Sequence, residues 1–396
     1  MKTISTQFFQ DKRALIRVDF NVPLNQGKVT DNSRIKAALQ TIKYVLDYGG
    51  SVVLMSHLGR PKDGPEEKLS LVHIKKELDR LLGKNVQFVA DCISEEGIQT
   101  TANMQPGDVV LLENLRFYPE EKAGNADFAK KLSEHGDIYI NDAFGTAHRK
   151  HASTAIIADY FPTKKCFGLL LEKEIKNIDT VLHSPKKPTT AIIGGAKVSS
   201  KIIIIEKLLD IMDNIIIGGG MAYTFIKAKG GEVGNSLVEN DYLETALNVM
   251  KSAKEKNVAI HLPTDTIIAD EFSNDATTDE CSIDNIPDGW MGLDIGAASM
   301  SSFISVIKES KTILWNGPMG VFEMEKFKNG TISIAKSLAK ATENGAYTLV
   351  GGGDSVAAIN QFDLNDQVSY VSTGGGAMLE YLEGKELPGI QAINKG

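Results

Sequence analysis

Cysteine is scarce in this chain. The three residues, Cys92, Cys166 and Cys281, lie far apart and never in a C-x-x-C spacing. An odd, scattered set excludes a disulfide framework and a zinc ribbon, and reads as buried thiols in a reducing compartment. Long hydrophobic runs are absent too, and the first residues, MKTISTQFFQDKRALIRVDF, contain no apolar signal core. No membrane role is expected, and the expected address is cytoplasmic. Positive charge is outnumbered: 43 Lys and Arg against 51 Asp and Glu leave a formal net charge of -8. That balance argues against nucleic acid as the main partner, although a local basic cleft can hide within it. Two nucleotide-binding signatures are also missing. The Gly–Lys pairs at 27–28, 83–84 and 384–385 do not complete G-x-x-x-x-G-K-[ST], and no G-x-G-x-x-G occurs. A P-loop enzyme and an ordinary dinucleotide dehydrogenase are therefore excluded.

What is present is material for two cores. At 396 residues, 42% hydrophobic and 24% charged, the chain exceeds the size at which one core stops growing. Short β-branched runs alternate with Gly or polar turns and helix-like stretches. Strands are expected at Ala14–Phe20, Ser51–Ser56, Gln87–Ala90, Val109–Glu113 and Ile138–Asn141. In the second half they are expected at Thr190–Ile193, Asn214–Ile217, Ala259–Pro263, Thr312–Trp315, Tyr347–Val350 and Gln367–Val371. Helical patterns such as Arg34–Tyr48, Leu71–Leu82, Asn240–Lys254 and Thr331–Thr342 separate them. The alternation implies an α/β protein with two doubly wound parallel sheets. A charged, helix-prone stretch at Leu169–His183, stopped by SPKKP, marks the boundary. Ile202–Ile205, four β-branched residues in a row, fits a strand as well as a helix.

Glycine placement carries more information than its total. Clusters follow strands at 194–195 (IIGGAK), 218–220 (IIIGGGMAY), 351–353 (LVGGGDS) and 374–376 (STGGGAM). One such cluster is what any tight βα turn needs. Four, at the same end of their strands, point to a phosphate-rich ligand met by backbone N–H groups and helix N-termini. Asp354, directly after one cluster, suits either a helix cap or a carboxylate holding Mg2+ through nucleotide phosphates. Lys197 and Lys201, four apart, are expected on one face near a helix start, where a phosphate contact is favoured over a solvated pair.

In the first half the strand ends carry cations: RVDFNVP (17–23) followed by Arg34, then SHLGRP (56–61), ENLRF (113–117) and NDAFGTAHRKHAS (141–153). Any one arginine reads as a surface charge. Together, Arg34, Arg60, Arg116 and Arg149 with His57 and His148 describe a basic pocket for a small polyanion, bound by planar forks. The His148–His151 pair lacks a third ligand at a recognisable spacing, so donors beside an anion fit better than a metal site.

These motifs, with GGAKV, WNGPMGVFE (315–323), GGGDS and STGGGA in that order, resemble the phosphoglycerate kinase family over essentially the whole chain. The resemblance implies reversible Mg-dependent phosphoryl transfer between ATP and the carboxylate of 3-phosphoglycerate, giving ADP and 1,3-bisphosphoglycerate. It implies a monomer of two Rossmann-like domains. Residues 1–168 with 379–396 would bind phosphoglycerate, 169–184 form a hinge helix, and 185–378 bind nucleotide. The C-terminal segment would return to the N-terminal domain. Carried over by motif, Asp19, Phe20, Asn21, Arg34, His57, Leu58, Gly59, Arg60, Arg116 and Arg149 would bind the phosphoglycerate. Lys197, Lys201, Gly292, Asn316, Glu323, Gly352, Gly353, Asp354 and Ser355 would border the nucleotide, Asp354 holding Mg2+ and Glu323 the ribose. One departure stands out: LDIGAAS (293–299) replaces the family's Asp-Ile-Gly-Pro-Lys-[TS], which removes a cation and is expected to slacken that loop.

The chemistry explains why the motifs offer no catalytic base. A carboxylate nucleophile, with an ordinary pKa of roughly 3.5, is already ionised at neutral pH. Arg34, Lys197 and Lys201, with backbone N–H groups at Gly352 and Gly375, are the candidate catalytic groups surrounding the transferring phosphoryl. Rival readings are another carboxylate kinase, such as an acetate or aspartate kinase, and an inactive nucleotide-binding scaffold.

Overall fold

The runs SVVLM, VVLL, TTAII and NIII are apolar on both faces, the pattern of strands covered by helices on either side. In the computed structural model of the protein each is a parallel strand with nearly every side chain buried. The structure describes residues 2–62 and 64–395. Two compact units form: Met1–Lys176 with Lys385–Gly396, and Asn177–Gly384.

In the first unit β1 (Arg13–Arg17) is central. A short hairpin, β2 (Leu24–Asn25) and β3 (Lys28–Val29), precedes α1 (Ser33–Asp47), β4 (Ser51–Met55), α2 (Val72–Leu82) and β5 (Gln87–Val89). Then come α3 (Glu95–Ala102), β6 (Val109–Leu112), α4 (Pro119–Ala123), α5 (Ala126–Ser133), β7 (Ile138–Asn141) and β8 (Lys165–Phe167). The six-stranded sheet has the order β5-β6-β4-β1-β7-β8, every neighbour parallel. The chain fills one side of β1 and then the other, so the switch point lies between β1 and β7, where such sheets bind ligands at their carboxyl ends.

The charged stretch after β8 is one helix, α6 (Leu169–His183), and the chain passes from the first unit to the second within it. Asp142 anchors its start: Oδ1 accepts the amides of Leu170 and Leu171 at 3.0 and 3.1 Å. Burial pushes this carboxyl up to about 7.

The second unit starts from β9 (Thr189–Ile193) and runs through α7 (Ile202–Leu208), β10 (Asn214–Ile217), α8 (Met221–Ala228), β11 (Glu232–Val233), α9 (Leu243–Glu255) and β12 (Ala259–His261). A small antiparallel sheet follows, β13 (Asp265–Ala269) between β14 (Thr278–Ser282) and β16 (Met291–Ile295), while β15 (Asn285–Ile286) pairs with β11. Then come α10 (Ala297–Glu309), β17 (Thr312–Asn316), α11 (Asn329–Glu343), β18 (Tyr347–Val350), α12 (Gly353–Gln361), β19 (Tyr370–Val371) and α13 (Gly376–Leu382). The main sheet is again parallel and six-stranded, β12-β10-β9-β17-β18-β19, with its switch point between β9 and β17. Beyond it, α14 (Pro388–Asn394) belongs to the first unit, where Gly389 N–H donates to Ala147 O at 2.8 Å and Ile393 is buried.

One ambiguity is resolved and several expectations are corrected. Ile202–Ile205 is helical, because Ile204, Ile205 and Leu208 reach the core while Ile203 turns outward. Lys197 and Lys201 do not share a helix face: Lys201 is the residue before α7 and Lys197 lies in the preceding turn. The strand expected at Gln367–Val371 shrinks to β19, with Asn365–Gln367 in a 3-10 turn. The antiparallel sheet was not anticipated, since β14 reads TDECS with four of its five residues exposed and shows no alternation. Residues 297–299 are not a slack loop but the first turn of α10. The Ala298 and Ser299 amides donate to the Asp265 carboxylate at 2.7 and 2.8 Å, and the Ser299 hydroxyl donates to it as well.

Candidate active site

At the carboxyl edge of the first sheet, hydrogen bonds tie three strand ends and the start of α1 together. Arg34, on the first turn of α1, donates Nη1 to Asp19 Oδ2 at 2.9 Å and to Asn21 O at 3.2 Å. Asn21 Oδ1 accepts the Gly59 amide at 2.8 Å, and Arg116 Nη1 donates to Gly59 O at 2.7 Å. His57 is buried, with Arg17 Nη2 3.2 Å from its Nδ1. Burial first, then Arg17, Arg116 and Arg34, push the imidazole well below its ordinary pKa, so it stays neutral. Burial and neighbouring arginines also lower Arg116 to about 10 and His151 to about 4. Arg149 and Arg60 are exposed. Arg149 is drawn into this cationic field, being felt by both Arg116 and His151, whereas Arg60 joins it only as the neighbour of Gly59. His148, half-buried beside Arg149, is likewise felt by His151.

Phe20 and Leu58 have side chains buried in the apolar core, so a ligand would meet only their backbone. Sequence reasoning missed Asn114. Fully buried, it accepts the Leu58 and Arg116 amides through Oδ1 and donates to Leu58 O and Leu69 O, holding the SHLGRP and ENLRF loops together. An Asn two residues past β6, within the ENLRF motif, was the available signal.

In the second unit the four glycine clusters do lie at one edge, following β9, β10, β18 and β19 of the same parallel sheet. At the switch point the turns after β9 and β17 pack backbone to backbone, and a Cβ on Gly194 would overlap Pro318 O. Gly352 and Gly375 precede α12 and α13 with φ of +93° and +49°, a conformation that turns the next helix's free N–H groups toward the edge. Lys201 is half-buried, and its ammonium donates to Asn316 Oδ1, whose amide group donates to Gly351 O at 2.8 Å. Burial lowers the Lys201 pKa, opposed by Asp354 and Glu383.

A cavity of about 470 Å³ opens beside these turns, lined by Gly292, Glu323 and Asp354 among the expected residues. Tyr223, Leu237, Phe272 and Met319 also line it and were missed. Isolated apolar residues carry no motif, although exposed Phe272 and Leu237 mark a wall with nothing of its own to bury against. Ser355 is fully buried and its hydroxyl accepts the Gly317 amide, so it braces the loop after β17. Asn316 is also fully buried and acts through Lys201. Lys197 is exposed, and Gly353 begins α12.

Comparison with known proteins is decisive. The family model described as phosphoglycerate kinase matches residues 4–385. The chain belongs to the phosphoglycerate kinase family. It is 52% identical to the phosphoglycerate kinase of Porphyromonas gingivalis, with 99% of both chains covered, and 51% identical to that of Borrelia hermsii over the full length of both. Among solved structures it is similar to the phosphoglycerate kinase from Coxiella burnetii, with TM-score 0.90, 42% identity and coverage of 99% and 98%. The one from Pyrococcus horikoshii gives 0.85 and 30%, covering 100% and 98%. As a member of that family, the chain is a phosphotransferase that moves a phosphoryl group between ATP and the carboxylate of 3-phosphoglycerate, a glycolytic step. Among the described residues, no helix is long and apolar enough to cross a membrane.

Proposed function

We propose that 3-phosphoglycerate binds at the carboxyl edge of the first sheet and the nucleotide at that of the second. The observation that supports this most is the segregation of chemistry: arginines held by carboxylate and carbonyl oxygens in one unit, glycine turns beside a cavity in the other. Arg60, Arg116 and Arg149 bind the phosphate and carboxylate of the acceptor, while His57 donates as a neutral imidazole. Phe272, Leu237 and Tyr223 flank the base, Gly292 lets it lie close, and Glu323 meets the ribose.

The donor set fits a magnesium ion carried in by the nucleotide. Asp354 is exposed in the first turn of α12 and faces the cavity, and no group of three or more potential ligands converges among the described residues. One carboxylate, Asp354, plus phosphate oxygens would suffice to hold this cation, which would supply neutralisation of phosphate charge.

The acceptor carboxylate attacks without a base. Arg34, Lys197 and Lys201, with the N–H groups after Gly352 and Gly375, neutralise the equatorial oxygens of the phosphoryl in flight. Attack requires an in-line approach within roughly 3–3.5 Å and exclusion of water, which otherwise hydrolyses ATP. A monomer with a cytoplasmic address belongs to the same reading.

The test is ADP formation from Mg-ATP with varied 3-phosphoglycerate, comparing Arg149→Ala with Glu323→Ala. Arg149→Ala should raise the KM for 3-phosphoglycerate alone, and Glu323→Ala that for ATP alone. Crossed effects sink the assignment.

A further inference from the structure

The reaction uses the arginines that face the acceptor, but not the buried polar groups beneath them. Glu121, on α4, is 0% exposed. Its Oε1 accepts the Ser153 hydroxyl at 2.6 Å and its Oε2 the Ser153 amide at 2.9 Å, while its carbonyl accepts the Ala152 amide. Ser153 Oγ, its proton committed to Glu121, accepts Arg17 Nε at 2.8 Å. Arg17, 1% exposed, also donates to Val18 O, and its Nη2 reaches His57 Nδ1 at 3.2 Å.

Each step of this relay has a forced polarity. A guanidinium has no acceptor, so Nδ1 of His57 receives the hydrogen bond and carries no proton. The single proton of the neutral ring then sits on Nε2, for which no described residue serves as partner. The next link leads outward: Nδ1 lies 3.9 Å from Asp19 Oδ1, and Asp19 Oδ2 holds Arg34. The Glu121 carboxylate also lies against His151, whose Nδ1 is 3.8 Å from its Oε1 and which follows Arg149 by two residues.

We propose that Glu121 is a positioning residue for the acceptor substrate: acting through Ser153 and Arg17, it fixes His57 as the Nε2–H tautomer and thereby creates a hydrogen-bond donor for 3-phosphoglycerate. Without Glu121, the Ser153 hydroxyl is free to rotate its proton toward Arg17. Arg17 Nε then loses its acceptor and the guanidinium its orientation, and Arg116 loses a carboxylate that favours its charge. The nucleotide side has no share in the relay, so its affinity is unaffected.

The proposal rests on 3-phosphoglycerate binding in the first unit, and the experiment separates the two. Glu121→Gln keeps the volume but must turn an amide nitrogen toward one of the two Ser153 donors. It should raise the KM for 3-phosphoglycerate by about tenfold or more, as for loss of a hydrogen bond to a charged group, leaving that for Mg-ATP within about twofold. Ser153→Ala, which breaks the relay and leaves Glu121 in place, should shift the KM in the same direction by less. In 15N-histidine-labelled enzyme, with His57 assigned through His57→Gln, the wild type should show the Nε2–H tautomer and Glu121→Gln a mixture. An unchanged KM for 3-phosphoglycerate in either folded variant overturns the proposal, as do an unchanged tautomer or equal rises in both KM values. If Glu121→Gln fails to fold, Ser153→Ala carries both readouts. Arg149→Ala, outside the relay, is the control: if it leaves the KM for 3-phosphoglycerate unchanged, the assignment of the acceptor site has failed first.

Discussion

Both units are built on a six-stranded parallel sheet entered at a central strand, filled on one side and then on the other. Both place an aspartate at the amino edge to fix the first strand, Asp137 on the Arg13 amide and Asp213 on the Thr189 amide. Both bury an aspartate at a helix N-terminus, Asp142 at α6 and Asp294 at α11, and burial pushes each up to about 7. At the carboxyl edge the resemblance ends. In the proposed reading the first unit meets anions with side-chain cations, of which Arg34 and Arg116 are held by oxygens of the protein. The second would meet them with glycine turns, helix N-termini and the half-buried Lys201. Side-chain cations in fixed positions read the shape of a small acid. Backbone donors need no reorganisation when charge moves, which suits the group being transferred.

The sharpest test of this division is to remove charge from each side. Lys201→Ala should lower kcat by roughly 10²–10³-fold, the cost of losing one preorganised donor, with little change in the KM for ATP. Arg34→Ala should also reduce turnover far more than it weakens nucleotide binding, and equal losses in both would sink its role. Next in size, Arg149→Ala should raise the KM for 3-phosphoglycerate by about tenfold to a hundredfold, as for loss of a charge-assisted hydrogen bond, with ATP affinity untouched. A comparable rise for ATP would break the comparison.

A smaller effect separates backbone from side chain. Gly352→Ala puts a Cβ about 2.5 Å from Asn316 Nδ2 in a left-handed conformation. It should cost about 1–3 kcal/mol of stability and displace the partner of Lys201. Denaturant unfolding with kinetics at matched temperature checks both.

The two buried aspartates make a matched pair for pH. A carboxyl whose folded pKa lies above its unfolded value near 4 binds its proton more tightly in the fold. Its stabilisation is complete below that unfolded value and is lost as pH rises through about 7. Asp142→Asn and Asp294→Asn should therefore gain stability relative to wild type as pH rises from 5 to 8. A constant difference across that window would refute the assignment. Smallest of all, Lys187→Ala removes an exposed pair with Asp213 and should change stability by less than about 1 kcal/mol, vanishing in high salt.

The architecture was legible because strands buried on both faces read as short apolar runs, and the glycine clusters mark where each ends. The arginines proposed for the acceptor stand out in the sequence because they follow those strands at fixed motifs. What could not be read depends on contacts made far along the chain. Asp265 ties down the first turn of α10 across some thirty residues, so the missing Pro–Lys pair looked like slack when it was not. Phe20, Leu58 and Ser355 sit inside functional motifs, but packing turns their side chains away from any ligand. Glu121 lies thirty-two residues from Ser153, and no local pattern joins them.

The return of α14 to the first unit has a consequence for biogenesis. That segment leaves the ribosome only after the whole second unit has been made, yet it braces Ala147, two residues before Arg149, and sets its own carbonyl at Gly389 against Asn141. Residues 177–384 contain every segment of the nucleotide-side unit, so that unit can close while synthesis is still under way. The acceptor side, begun first, is completed last, and a nascent chain acquires its glycine turns before the loop bearing Arg149 is locked.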